Sequence, residues 1–231
     1  MTRWTAWIAR GALLGALAAA GCSSEHQSAA VAPFGTDTVS VPASVPAAPG
    51  VTGDQITVTR VAMVGDSITE AATPALQKAF SAIGLDDVDI NAEGGRRMVK
   101  ATSISSGLDG IDQVLAEGAA PDVWVIALGT NDVANYPHDQ YAGLIQQVLA
   151  ALPPDAHVVW VDCYLRRFKA DAQDFDGVLR QVLAARGNAK VVDWYSIAGE
   201  DGVLVDGVHP SGFGKDEFSR RVAQTVRDWM A

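Results

Sequence analysis

From Thr57 onward this chain repeats one pattern: a short apolar run, then a longer stretch with helical spacing. The runs are Val58–Val64, Val88–Asn91, Val123–Leu128, Val158–Val161 and Val191–Trp194. The helical stretches are Pro74–Ile83, Gly107–Glu117, Gln140–Leu152, Ala170–Arg186 and Gly212–Met230. Strands that alternate with helices form βαβ units and pair in parallel, because a parallel return needs a crossover. Crossovers of one hand wind such units into a three-layer α/β/α sandwich with a five-stranded, mainly parallel sheet. The expected strand order is the flavodoxin-like 2-1-3-4-5, with the first strand central and beside the switch point. Trp124, Trp160 and Trp194 lie in or at the ends of strand runs and are expected to pack the core.

The first run carries the feature that fixes where chemistry belongs. Gly65 breaks it, Asp66 and Ser67 follow, and a helical pattern begins near Thr73–Pro74. A buried strand running through a tight turn into a helix holds one side chain at the carboxyl edge of the sheet, where open α/β folds bind ligands. That side chain is Ser67. Gly-Asp-Ser alone reads equally well as a turn, since turns favour these residues for conformational reasons.

Three further segments are expected at the same edge: Asn91–Arg97 after the second run, Gly129–Asp132 after the third, and Asp206–Pro210 after the fifth. Acyl transfer needs a nucleophile, a base and donors aimed at the developing oxyanion. Ser67 supplies the hydroxyl. His26 lies in a Pro-rich segment, His138 begins a helix and His157 begins a strand, so His209 is the candidate base. Asp206, three residues earlier, is placed to accept from the other ring nitrogen. Candidate oxyanion donors are the Ser67 amide, the Gly95 amide and the Asn131 side chain, with Gly94 the alternative to Gly95. Arg96 and Arg97 read as a solvated start to a loop, with an anionic substrate group as the other candidate partner.

These blocks, Gly65-Asp66-Ser67, Gly94-Gly95, Gly129-Thr130-Asn131-Asp132 and Asp206-Gly207-Val208-His209-Pro210, resemble the SGNH, or GDSL, hydrolase family across about residues 58–231. The resemblance implies Ser67 as nucleophile, Asp206 and His209 as its partners, and Ser67, Gly95 and Asn131 as oxyanion hole. The Gly-Gly-Arg-Arg stretch is closer to SGNH domains attached to envelope O-acyltransferases than to common secreted lipases.

The amino terminus points outside the cytoplasm. Arg3 and Arg10 flank a positive start, and Gly11–Ala20 is an apolar run too short to span a bilayer. It ends in Ala19-Ala20-Gly21-Cys22, which resembles a bacterial lipobox, with Ala19 where leucine is usual. Residues 1–21 are therefore expected to be a signal peptide of lipoprotein type, with lipid on Cys22; cleavage after Ala18-Ala19-Ala20 and free secretion is the alternative. Residues 22–56, rich in Ala, Ser and Pro, read as a disordered tether, and 57–231 as the hydrolase domain. Cys163, in an apolar run, is expected to be a small buried hydrophobe.

Net charge is −10, and no basic stripe is present, so nucleic acid is not an expected partner. Scattered acids around one candidate His show no zinc spacing, and neither a P-loop nor Gly-x-Gly-x-x-Gly occurs, so no metal and no cofactor are expected. The chain is expected to act as a monomer on a small ester or an acylated glycan, touching membrane only through Cys22. The reading is a serine esterase working through an acyl-enzyme. An acyltransferase passing the acyl group to a sugar hydroxyl, and a catalytically silent glycan-binding module, remain open on the same fold.

Overall fold

The structure, a computed structural model, describes residues 55–100, 102–118 and 120–231. The expected signal peptide, Cys22 and all of the tether before Gln55 lie outside the described residues. In chain order the elements are β1 (Arg60–Gly65), α1 (Ser67–Ala82), β2 (Asp87–Ala92), α2 (Gly107–Ala116), β3 (Val123–Ala127), α3 (Thr130–Val133), α4 (Tyr141–Ala151), β4 (His157–Val161), α5 (Lys169–Arg186), β5 (Ala189–Val192), α6 (Tyr195–Ala198) and α7 (Gly212–Arg227). All strand pairs are parallel, in the expected order β2-β1-β3-β4-β5.

The period-two alternation of β1 sorts its side chains into two cores. Val61 and Met63 pack with Leu76 and Phe80 of α1 and Phe218 and Val222 of α7. Ala62 and Val64 pack with Ile111 of α2, Ile145 of α4 and Phe175 of α5. The sheet is thus covered on both faces, and the fold is the three-layer sandwich. Trp124, Trp160 and Trp194 are fully buried in these layers. Each large apolar side chain so buried contributes about 1.5–3 kcal/mol.

Two boundaries differ clearly from expectation, and two short helices are additional. Helix α1 starts at Ser67, not near Thr73–Pro74, and Pro74 lies inside it. Proline is favoured in a first turn, so it misleads as a start signal; here the Asp66 side chain caps the helix by accepting from the Ile68 amide at 3.0 Å. Strand β5 ends at Val192, and Trp194 caps α6. Helices α3 and α6, each four residues long, are too short to show a period in sequence. At the domain's entry, Ile56 forms a parallel bridge with Met230, joining the first described residues to the last turn.

Gly129 connects β3 to α3 with φ of 125°, a backbone that only glycine adopts freely. A Cβ there would sit 2.7 Å from Phe175 Cζ and 2.9 Å from Cys163 Sγ, both in the core. Gly129→Ala is expected to lower stability by at least about 2 kcal/mol, because strain and overpacking act together. Urea denaturation of the variant checks this, and an unchanged midpoint would contradict it.

Candidate active site

Strand β1 delivers Gly65 to the sheet edge, where a Cβ would lie 2.1 Å from Thr69 Oγ1 in the first turn of α1. Glycine therefore lets the strand pass directly beneath the helix start. Ser67 becomes the first residue of α1, half-buried, with a backbone N–H that no helical carbonyl can reach.

His209 arrives from the connection between α6 and α7. That loop is closed by the Leu204–Pro210 bridge and by the Val205 amide donating to the His209 carbonyl at 2.9 Å. Its middle is organised by Asp206: one carboxylate oxygen accepts from the Val208 and His209 amides at 2.9 and 2.8 Å. The other lies 2.7 Å from His209 Nδ1, and His209 Nε2 lies 3.0 Å from Ser67 Oγ. These bonds, the His209 amide first, hold the Asp206 carboxyl well below its usual range. The imidazole and carboxylate remain about half exposed. A hydroxyl within reach of an imidazole that a carboxylate orients is the arrangement that makes a serine nucleophilic.

Asn131, in the first turn of α3, comes to the same edge. Its carboxamide donates to Asp66 Oδ2 at 3.2 Å and to the Arg96 carbonyl at 3.1 Å. Both amide hydrogens therefore have resting acceptors. Gly95, with φ of 79°, is exposed in the turn after β2. Gly94 faces the serine more directly: a Cβ on it would lie 3.9 Å from Ser67 Cβ and 3.1 Å from Glu70 Oε2. Ser67, Gly95, Asn131, Asp206 and His209 thus emerge at one edge of the sheet.

One expectation about arginine needs correction. Arg96 is not solvated: it is 2 % exposed, its guanidinium bonded to Gly65, Asn91 and Ser105. Acceptors supplied by three segments draw it inward, which no local pattern shows. Arg97 stays half-exposed.

Sequence reading also passed over two buried acids. Asp66 is wholly buried, and burial raises its pKa to about 6. Asp132 is wholly buried and raised to about 7, again chiefly by burial, while both its oxygens accept from the Met98 amide at 3.3 and 3.1 Å. Their place inside motifs of turn residues hid them. Cys163 is buried, and burial pushes its thiol up, away from reactivity. Among the described residues no group of three or more His, Cys, Asp or Glu is placed to hold a metal, and no helix is long and apolar enough to cross a membrane.

The buried acids set a pH dependence. Asp66 and Asp132 take up protons near pH 6 and 7 when folded, against 3.8 ordinarily. Asp162, near 6, and Asp176, near 8, act in the same sense. Between those limits the folded state binds more protons, so stability falls as pH rises. The urea midpoint is expected to be lower at pH 8 than at pH 5. Asp132→Asn, which keeps an acceptor for Met98, is expected to flatten that slope; an identical slope in the variant would contradict the assignment.

The family model for GDSL-like lipase/acylhydrolase matches residues 63–217. Among solved structures, the fold is similar to the C-terminal catalytic domain of Streptococcus pneumoniae peptidoglycan O-acetyltransferase A (TM-score 0.57, 20 % identity, covering 74 % of this chain and 92 % of that one). It is also similar to Est24, a carbohydrate acetylesterase from Sinorhizobium meliloti (0.59, 16 %, 73 % and 98 %). An aryl esterase from M. smegmatis is a third (0.60, 18 %, 74 % and 100 %). No curated protein sequence matches significantly. At these identities the structural likeness is one of fold, and the family model carries the assignment. The chain belongs to the GDSL-like lipase/acylhydrolase family, also called SGNH hydrolases, and is an enzyme that acts on ester bonds.

Proposed function

We propose that this protein is an extracytoplasmic serine esterase that removes short acyl groups, acetyl above all, from acylated envelope glycans or small esters. The observation that carries this reading is the chain of contacts from Ser67 Oγ to His209 Nε2 at 3.0 Å and from His209 Nδ1 to Asp206 at 2.7 Å. Ser67 gives its proton to His209 Nε2 as Oγ attacks the ester carbonyl carbon. Asp206, held ionised, fixes the tautomer and stabilises the imidazolium. Negative charge on the carbonyl oxygen is met by the Ser67 amide at the positive end of α1, by the Gly95 amide, and by Asn131, which shares one of its engaged hydrogens. The tetrahedral intermediate collapses, His209 protonates the departing alcohol, and an acyl-serine remains. Water, deprotonated by His209, repeats the sequence and releases the acid.

The preference for short acyl groups is supported by the rim. Asn135, His138, Glu200 and Asp201 are exposed and polar, and only the β2–α2 and α6–α7 connections are long enough to wall a pocket. Val205 and Phe213, near the His209 loop in sequence, are exposed apolar side chains that the sequence reading did not weigh. A long acyl chain would need a deep groove, gaining about 0.8 kcal/mol per buried methylene. Of the proteins with similar folds, one is described as a peptidoglycan O-acetyltransferase and another as a carbohydrate acetylesterase, which favours a glycan substrate. The first of these also favours a second reading, transfer of the acyl group to a sugar hydroxyl instead of water. Analysis of acceptor products separates the two.

Anchoring by lipid on Cys22, with residues 1–21 removed and 22–56 as tether, is part of the proposal and rests on the amino-terminal pattern alone. Two or more acyl chains are needed for stable attachment. Cys22→Ser is expected to move the protein from the membrane fraction to the soluble one; unchanged fractionation would exclude this anchor.

Ser67→Ala and His209→Ala are each expected to lower kcat by several orders of magnitude, and Asn131→Ala by about 100- to 1000-fold. Nitrophenyl esters of two to sixteen carbons test acyl length. Specificity constants that rise steadily beyond eight carbons, or a Ser67→Ala enzyme with normal turnover, would contradict the reading.

A further inference from the structure

Arg96 stands where the loops after β1, β2 and β3 meet. Its side chain is 3 % exposed. Nη1 donates to the Gly65 carbonyl at 3.3 Å, to the Asn91 carbonyl at 2.8 Å and to Asn91 Oδ1 at 2.8 Å. Nη2 donates to Ser105 Oγ at 2.9 Å and reaches Glu93 Oε2 at 3.4 Å. Glu93 also accepts from the Ser105 amide and hydroxyl, which joins the two ends of this long loop. The α2 helix leaves the space through Gly110, where a Cβ would lie 3.0 Å from Nη1.

The backbone of the same residue faces the catalytic side. The Arg96 amide donates to the Glu93 carbonyl at 3.2 Å, closing the turn that presents Gly94 and Gly95. The Arg96 carbonyl accepts from Asn131 Nδ2 at 3.1 Å. With Asp66, it makes the pair of acceptors that defines the plane of the Asn131 carboxamide.

A buried cation is a costly way to hold a loop. Among the described residues its one carboxylate contact is long, and well-packed apolar residues commonly give equal stability. What a guanidinium adds is a planar fork that fixes several acceptors in one geometry, which an ammonium cannot do. Here those acceptors are the ends of β1 and β2 and the far side of the loop.

We propose that Arg96 is a positioning residue for the ester reaction. Its guanidinium locks the Glu93–Arg96 turn against the ends of β1 and β2, so that its carbonyl sets Asn131 as an oxyanion donor. The proposal rests on Asn131 acting as such a donor.

The test is a double-mutant cycle on an acetyl nitrophenyl ester, using Arg96→Lys, Asn131→Ala and the double variant, with thermal melts of each. Arg96→Lys is expected to lower kcat about 10- to 100-fold with KM within about threefold, the pattern of a lost transition-state contact. If Arg96 acts through Asn131, the double variant is expected within about threefold of Asn131→Ala alone. Losses that multiply fully, or a folded Arg96→Lys enzyme with wild-type kcat, would overturn the proposal while leaving the reading of Asn131 intact. Wild-type kcat in Asn131→Ala would overturn the donor reading itself, and the proposal with it.

Should Arg96→Lys melt below the assay temperature, Ser105→Ala takes its place in the cycle, because it removes one acceptor and keeps the cation. It is expected to cost about three- to tenfold in kcat, again without multiplying. No loss, or a multiplying one, would overturn the proposal in the same way.

Discussion

The arrangement depends on the pairing of β1 with both of its neighbours in matched register. Gly65 lies opposite Ala92 on one side and opposite Ala127 on the other. Three parallel strands therefore end level, and the next residues of each leave the sheet at one edge. Those residues are Asp66 and Ser67, Glu93 to Arg97, and Leu128 to Asn131. Backbone hydrogen bonds in a sheet covered on both faces leave little freedom for that register to slip. The fourth contributor, His209, needs no strand of its own. It reaches the edge on a loop whose backbone Asp206 folds into shape.

Level strand ends alone would leave the loops loose. Buried aspartates tie them to one another. Asp66, after β1, accepts from Asn131, after β3. Asp132, after β3, accepts from the Met98 amide, after β2. Asp162, after β4, accepts from the Trp194 and Tyr195 amides, after β5. Each carboxyl is desolvated, which raises its pKa, and each offsets part of that cost by accepting backbone N–H groups. Geometry at the edge and sensitivity of stability to pH thus share one cause. Arg96 is the cationic counterpart, tying the β2 loop to β1 and β2 through carbonyls rather than through amides.

Most of the fold was legible because its signals are local. Apolar runs of strand length, helical spacing between them and the one-handedness of crossovers suffice for layers and strand order. Ser67, Asn131, Asp206 and His209 were legible because they stand in short motifs after the right runs. Arg96 looks solvated in sequence because a charged pair beside glycines has the pattern of surface. Its acceptors, Gly65, Asn91 and Ser105, are distant or backbone groups that no pattern around Arg96 reveals. The start of α1 is hidden in sequence because Pro74 is a louder signal than the Asp66 cap. Helices α3 and α6 escaped because four residues cannot display a period of 3.6.

Sequence by itself determined which residues are chemically able to act and at which edge of which sheet they emerge, since both follow from residue type and from the order of strands. Tertiary structure decided the distances: the 3.0 Å between Ser67 and His209, the two acceptors on the Asn131 carboxamide, and the burial of Arg96, Asp66 and Asp132. Distances between segments far apart in the chain depend on how whole layers pack, and packing is a property of the assembled molecule rather than of any stretch of it.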